Sequence, residues 1–224
     1  MVQVGETDPR LSKWLRWMET IKGEVQSLLT VQRTNREIRE MISSNPSLAK
    51  TSEFYGYLGR TYTSHVVMGL RRQLKSGNDQ VSLGRLFTEM IETPQILTRQ
   101  YYVSHYAGSA VADLADRDFD TFAAPGAPHV DAALIQTDFD RLKTETRSCE
   151  DFADRRVAHR DSRTPKAMPT YYELDCAIGM LDEIYVKYHL LFHASWMDSL
   201  LPTRQYDWTE VFRVAWMPTD NDRS

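Results

Sequence analysis

The sequence predicts an all-α fold: a helical bundle with two long helices, a long central excursion and two further core helices. Three observations predict it. Apolar residues recur at three- and four-residue steps over most of the chain. Residues that start helices stand at Ser82, Thr170 and Asp207, immediately ahead of such runs. No stretch alternates with period two over a useful length, so no sheet of more than two short strands is expected.

The first element carries Leu11, Trp14, Met18, Ile21, Val25, Leu28, Gln32, Asn35, Ile38 and Ile42 on one face. It is one long helix or two collinear ones, with Gly23 as the weak point. "SSNPS" ends it, because Pro46 cannot continue a helix. A second long helix spans about Ser52 to Lys75, with Phe54, Leu58, Tyr62, His65, Val66, Gly69 and Leu70 at helical spacing. After the turn "KSGND", Ser82 caps a shorter helix with Leu83, Leu86, Phe87 and Met90 inward, and "RQYYVSHY" forms another short one. Residues 107–130 break the period. Their Asp, Ala, Gly and Pro content reads as a long excursion, poorly ordered or holding a short helix. A helix is expected from near Val130 through Leu134, Phe139, Leu142 and Cys149 to His159. Thr170 and Glu173 then form a capping box that starts a strong helix. Its broad apolar face holds Leu174, Ala177, Ile178, Leu181, Ile184, Tyr185, Tyr188, Leu191 and Phe192. "DWTEVFRVAW" reads as a last short helix, and "PTDNDRS" as a polar tail.

The chain has 224 residues, enough for a substantial core, and is read as a single domain over 1–224. A net charge of −4 and a pI near 5.9 exclude a globally basic nucleic-acid binder, so any RNA contact must come from a local patch. Two cysteines, Cys149 and Cys176, make no disulfide framework, and a reducing cytoplasm is the expectation. No signal peptide is expected from "MVQVGETDPR", and no run approaches the ~20 apolar residues that span a bilayer.

One charged knot stands out in this acidic chain: "DFADRRVAHRDSRT", residues 151–164. On a continuous helix of about 100° per residue, Leu142, Cys149 and Arg156 fall within about 20° of one line. Phe152 and His159 share a second line beside it. Arg156 and His159 thus continue the apolar stripe and need partners on another helix, another subunit or a bound anion. Cations at a helix C-terminus also complement its dipole, and Arg155, Arg156, His159 and Arg160 would serve that role too.

"FADRRVAHRD" resembles the signature region of the HEPN superfamily, particularly its abortive-infection AbiU-type branch. There the run typically reads Phe-Arg-Asp-Lys-Arg-x-Ala-His, then a polar residue and Asp. The matching positions are Phe152, Asp154, Arg155, Arg156, Ala158, His159 and Asp161. A second stretch, "GLRRQLKSGNDQVSLGRLFTEM" (69–90), is similar to the same branch: paired Arg at a helix end, a polar turn, then Ser-Leu and a Leu-rich helix. The resemblance covers about residues 20–195, with the excursion unmatched.

The resemblance implies a helical dimer with two Arg-to-His motifs at one cleft, and in active members a metal-independent ribonuclease of phage defence or a toxin–antitoxin system. It assigns His159, Arg156, Arg155 and Asp154 as catalytic and Arg71, Arg72 and Arg160 as substrate-binding. It implies no metal and no cofactor. The partners it implies are a second copy, RNA and an antitoxin or other protein, with no membrane. The residue types suit the chemistry, since imidazole moves protons near neutral pH and guanidinium holds phosphate oxygens as charge develops. One departure matters: Ala153 stands where the motif has its Arg. Either a neighbouring Arg substitutes, or Arg71 and Arg72 supply the phosphate contact, or the protein does not cleave RNA. A silent HEPN-like dimer binding RNA, a nucleotide or a protein, and a purely structural association module, are the alternatives.

Other constellations are weaker. His189 and His193 are four apart and could reach one metal, but "LLF" between them lacks a zinc-protease Glu, and packing is the simpler expectation. His65 is expected in the core. Gly56, Gly59 and Gly69 are spaced like close helix contacts. The two cysteines read as small core residues. Trp14 and Trp17 cannot both face one core, which leaves one for a partner surface.

Overall fold

The computed structural model describes residues 8–48, 50–110, 112–153, 168–214 and 216. Among these the fold is an all-α bundle, and the only β pairing is an isolated bridge between Thr98 and His129. The helices are α1 (Pro9–Ser44), α2 (Glu53–Leu74), α3 (Leu83–Glu92), α4 (Arg99–Ser104), α5 (Ala112–Asp118), α6 (Ala132–Glu145), α7 (Arg147–Phe152) and α8 (Tyr171–His193). Short 3-10 turns follow α3, α5 and α8.

The helix starts are local sequence chemistry. Asp8, Ser52, Ser82, Thr98, Asp131 and Thr170 each accept a backbone N–H of the following turn. At α8 the box is complete: Thr170 accepts from the Glu173 amide, and the Glu173 carboxylate accepts from Thr170 N–H at 2.7 Å. α8 is the central element, packed on α1, α2 and α6, and all nine residues of its predicted apolar face are buried.

α1 is one uninterrupted helix, ~54 Å long at 1.5 Å per residue. Gly23 lies on its open side, with nothing within 4 Å of where a Cβ would be. Its stripe is buried only from Leu11 to Leu29. Gln32, Asn35, Ile38 and Ile42 are only partly covered, because this half of α1 pairs with the exposed start of α2 as an arm beyond the core. Phe54 therefore stays 46% exposed, and His65, expected in the core, is exposed.

Close approach explains two of the expected glycines. A Cβ on Gly69 would meet Leu28 of α1 at 2.6 Å, and one on Gly59 the Tyr171 hydroxyl at 2.7 Å, whereas Gly56 faces only Arg60 of its own helix. Trp14 is fully buried, and its indole N–H donates to Glu89 at 2.7 Å. Trp17 is half-buried against the core with the Lys13 ammonium 4.7 Å above its ring.

The described residues of 107–130 hold a short helix, one of the two expectations for this stretch: α5 and a 3-10 turn place Phe119, Phe122, Ala123 and Val130 in the core around Tyr102. Two elements differ from the sequence reading. The helix expected from Val130 to His159 is interrupted at Thr146. There ψ is 2°, while Thr146 N–H still donates to Leu142 O at 3.1 Å and the side-chain hydroxyl shares that carbonyl at 2.7 Å. The last helix is a 3-10 segment, Trp208–Arg213, with no buried residue; Asp207 still caps it. No described helix is long and apolar enough to cross a membrane.

Candidate functional site

Of the two stretches that resemble the AbiU branch, the one over 69–90 begins in the last turns of α2, and α7, whose last residue Phe152 opens the other, packs on α2. Arg71 and Arg72 occupy its last turn, as cations complementing the dipole there. Arg72 is exposed, and its guanidinium pairs with Glu24 of α1 through two nitrogens, both at 2.9 Å. Arg71 is half-buried. The following turn is held firmly. Ser82 donates its hydroxyl to Lys75 O and accepts from Arg85 N at 3.1 Å. Gln73, buried, accepts from Leu83 N at 3.2 Å. Gly84 packs so closely that a Cβ would sit 2.5 Å from Leu74 O.

α7 packs on α2 beside this turn, and Lys75 Nζ lies 3.7 Å from Glu150 of α7. Cys149 is fully buried, and burial pushes its thiol up to about 11, so it is no thiolate at neutral pH. Cys176 is only half-buried. Phe152 packs partly on the core, and Ala153 is completely buried. The position that carries Arg in the resembled motif thus faces the protein interior. The catalytic residues expected at Asp154, Arg155, Arg156 and His159, and the substrate contact at Arg160, lie outside the described residues.

A polar junction ties the first turns of α8 to α1 and α2. The Asp175 carboxylate accepts from Gln32 at 3.0 Å and from the Tyr62 hydroxyl at 3.2 Å, with Arg36 at 3.7 Å. Burial, then the nearby Asp175 charge, raises the Tyr62 phenol. Arg39 stacks 4.3 Å from the Tyr171 ring, which lies 5.7 Å from that of Tyr62. This junction ties the start of α8 into the bundle.

Two further features went unread in the sequence. Glu89 is buried on α3 and gathers Trp14, Lys13 at 2.6 Å and Arg85 at 2.8 Å. Its signal was present: Glu89 falls beside Leu86 and Met90 on the apolar stripe. The second is an apolar cavity of about 540 Å³ between the arm and the C-terminal segment, lined by Ile38, Met41, Ile42, Leu48, Phe54, Tyr55, Leu58, Phe212, Val214 and Trp216.

His189 and His193 lie side by side on α8 with ring centroids 4.6 Å apart and planes tilted by 35°, and Tyr185 stacks on His189 at 6.0 Å. Nδ1 of His189 and Nε2 of His193 are shielded from solvent and have no hydrogen-bond partner. Burial is the main cause that lowers both imidazoles below the usual histidine value. Among the described residues, no three His, Cys, Asp or Glu side chains stand grouped to hold a metal.

No known protein family, characterised protein or solved structure matches the chain.

Proposed function

We propose that the protein is a HEPN-like helical dimer that binds RNA through the 152–161 segment without cutting it. The burial of Ala153 carries this reading. In the resembled motif an Arg at that position holds the scissile phosphate, and here the position is methyl-sized and turned into the core. The retained Arg155, Arg156, His159 and Arg160 still offer charge-assisted hydrogen bonds to a phosphate backbone. The −4 charge of the whole chain confines such binding to a local patch.

A second reading, a metal-independent ribonuclease of phage defence or a toxin–antitoxin system, has one observation in its favour. α7 leads towards the motif while packed against α2 beside the Arg71–Arg72 turn, with Lys75 near Glu150. In that reading the α2 arginines replace the missing motif Arg.

One set of assays separates the two. Purified protein is mixed with a panel of RNAs at low and moderate salt, and both retention and integrity are followed. The binding reading expects intact RNA, retention that weakens steeply with salt, and weaker retention by Arg155→Ala and Arg156→Ala. Cleavage by the wild type that His159→Ala abolishes overturns it in favour of the ribonuclease. Absence of retention for every RNA at low salt overturns it in favour of protein association. Sedimentation at micromolar concentration tests the dimer, and a pure monomer refutes it.

A further inference from the structure

The apolar cavity between the arm and the C-terminal segment is a feature that the RNA reading leaves unused. We propose that it is a binding site for an uncharged, planar fused-ring molecule with one polar edge.

Size comes first. The cavity measures about 540 Å³. Small-molecule sites fall at roughly 300–1,000 Å³. An apolar cavity of about 150 Å³ already takes benzene. More than three times that volume has room for two or three fused rings.

The lining sets the chemistry. None of the lining side chains is charged, so a charge carried inside would lose its water without gaining a partner. The body of the ligand is therefore neutral. Trp216 offers it no donor, because its indole N–H goes to Val211 O at 2.7 Å. Tyr55 brings the one side-chain hydroxyl in the lining, which suits a single hydroxyl or carbonyl on the ligand's edge. Met41 is the adaptable member, an unbranched thioether that packs well against aromatic rings.

The shape favours rings over a stretched chain. α1 contributes Ile38 to Ile42 and α2 contributes Phe54 to Leu58, one turn of each helix and about 6 Å along its axis. An extended alkyl chain lying along the arm outruns that length. The aromatic walls are set for ring contacts. Phe212 and Trp216 lie nearly parallel, with planes 18° apart and centroids at 5.8 Å, and Phe54 meets Trp216 edge-on at 6.4 Å. Trp216 stays 61% exposed, so its ring still has area to pack on a planar partner in the offset or edge-to-face arrangements that aromatic rings prefer.

The outer wall stands apart from the core. Its 3-10 segment, Trp208–Arg213, has no buried residue. Polar contacts tie it to the arm instead. Arg204 donates to Thr34 at 2.8 Å and pairs with Glu37, and the Trp208 indole N–H donates to Glu37 at 2.6 Å. A ligand thus enters by shifting this segment, and the bundle packing stays intact.

The test uses the full chain, with 1-naphthol as the probe and equilibrium dialysis as the readout. Saturable binding of one molecule per chain is expected. 1-Decanol, a chain with the same number of non-hydrogen atoms, should bind more weakly, and naphthalene-1-sulfonate, a charged ring, more weakly still. Phe212→Ala removes an aromatic wall and Ile42→Asp places a charge in the lining; each should weaken 1-naphthol binding on the order of tenfold. Tyr55→Phe should weaken 1-naphthol but leave naphthalene unchanged. Both Phe212 and Ile42 lie outside the buried core, and far-ultraviolet spectra identical to wild type show that the variants fold. Binding at full strength in the folded Ile42→Asp/Phe212→Ala double variant overturns the proposal, as does wild type that binds no more 1-naphthol than this variant. Tighter binding of 1-decanol overturns the planar-ring class. A dimer that Phe212→Ala turns into monomer in sedimentation overturns the ligand site in favour of a second copy of the chain on this face. The dialysis readout stands or falls independently of RNA retention.

Discussion

Replacing Ala153 by Arg restores the residue of the resembled motif, and the structure dictates the outcome. Ala153 is completely buried at the end of α7, which packs on α2 and α6. A guanidinium placed there brings two penalties. Overpacking a filled site costs typically 1–3 kcal/mol. An uncompensated charge at a buried site adds several more, reduced to the extent that the long side chain can snorkel outward. Together they amount to ~4 kcal/mol, a large share of the 5–15 kcal/mol that holds an average domain. For a chain of this size each kcal/mol moves the melting temperature by about 2–4 °C, so the variant should melt roughly 8–16 °C lower. Ala153→Leu isolates the volume term and should fall by roughly 2–12 °C on the same scale. The assay is thermal unfolding followed by circular dichroism, with RNA integrity measured below the transition. The expectation is a destabilised protein that gains no cleavage. An Ala153→Arg protein that melts with the wild type and begins to cut RNA would refute the reasoning, because it would mean that this position opens onto a cleft.

Three other outcomes follow from packing and electrostatics. Glu89→Gln keeps the shape and the Trp14 bond but leaves Lys13 and Arg85 facing a neutral amide, and should cost about 2 kcal/mol near pH 7 by denaturant titration. Burial alone would raise this carboxyl, but the bonds from Lys13, Trp14 and Arg85 outweigh it and hold it below the usual value. The unfolded chain therefore takes up the proton first as pH falls, and the gap between wild type and Glu89→Gln should be full above pH ~4.3 and close below it. A gap independent of pH would show that the charge is not the cause. Gly84→Ala places a Cβ 2.5 Å from Leu74 O, so it should destabilise by on the order of 2 kcal/mol or more; a neutral result in urea would show that the α2–α3 turn yields. Ala194 caps α8 with φ at 49°, a region that favours glycine, so Ala194→Gly should raise stability by ~0.5 kcal/mol, and a loss would show that the cap is not strained.

The legible parts of the fold are those in which local chemistry and burial agree. In α8, the Thr170–Glu173 box forms as read and all nine residues of the apolar face are buried, with Met180 buried beside them. The α1 stripe was legible as a helix but not as a core, because periodicity reports a covered face and not what covers it. Leu11 to Leu29 are buried in the bundle, whereas Ile38 and Ile42 are partly covered and line a cavity with the start of α2 and Phe212, Val214 and Trp216. His65 failed for the same reason, since an apolar neighbourhood in sequence does not place a residue on the inner side of its helix. Thr146 was invisible because its residue type does not mark it: Thr20, Thr30, Thr88, Thr137 and Thr144 turn their hydroxyls back to the carbonyl four residues earlier in the same way, inside unbroken helices.

The same interruption bears on the candidate site. A continuous helix would have carried the Leu142–Cys149 line directly to Arg156. With the break, the orientation of α7 is set by its own packing on α2, through Cys149 and the Lys75–Glu150 contact, and by the burial of Ala153. The spacing of arginines and histidine in the sequence shows which residues could meet a phosphate. Whether the motif's missing Arg could be supplied at 153 depends on which way that residue turns, and Ala153 is buried where α7 ends against α2. An Ala turned inward supports the proposal of RNA binding without cleavage, in which Arg155, Arg156, His159 and Arg160 hold a phosphate backbone.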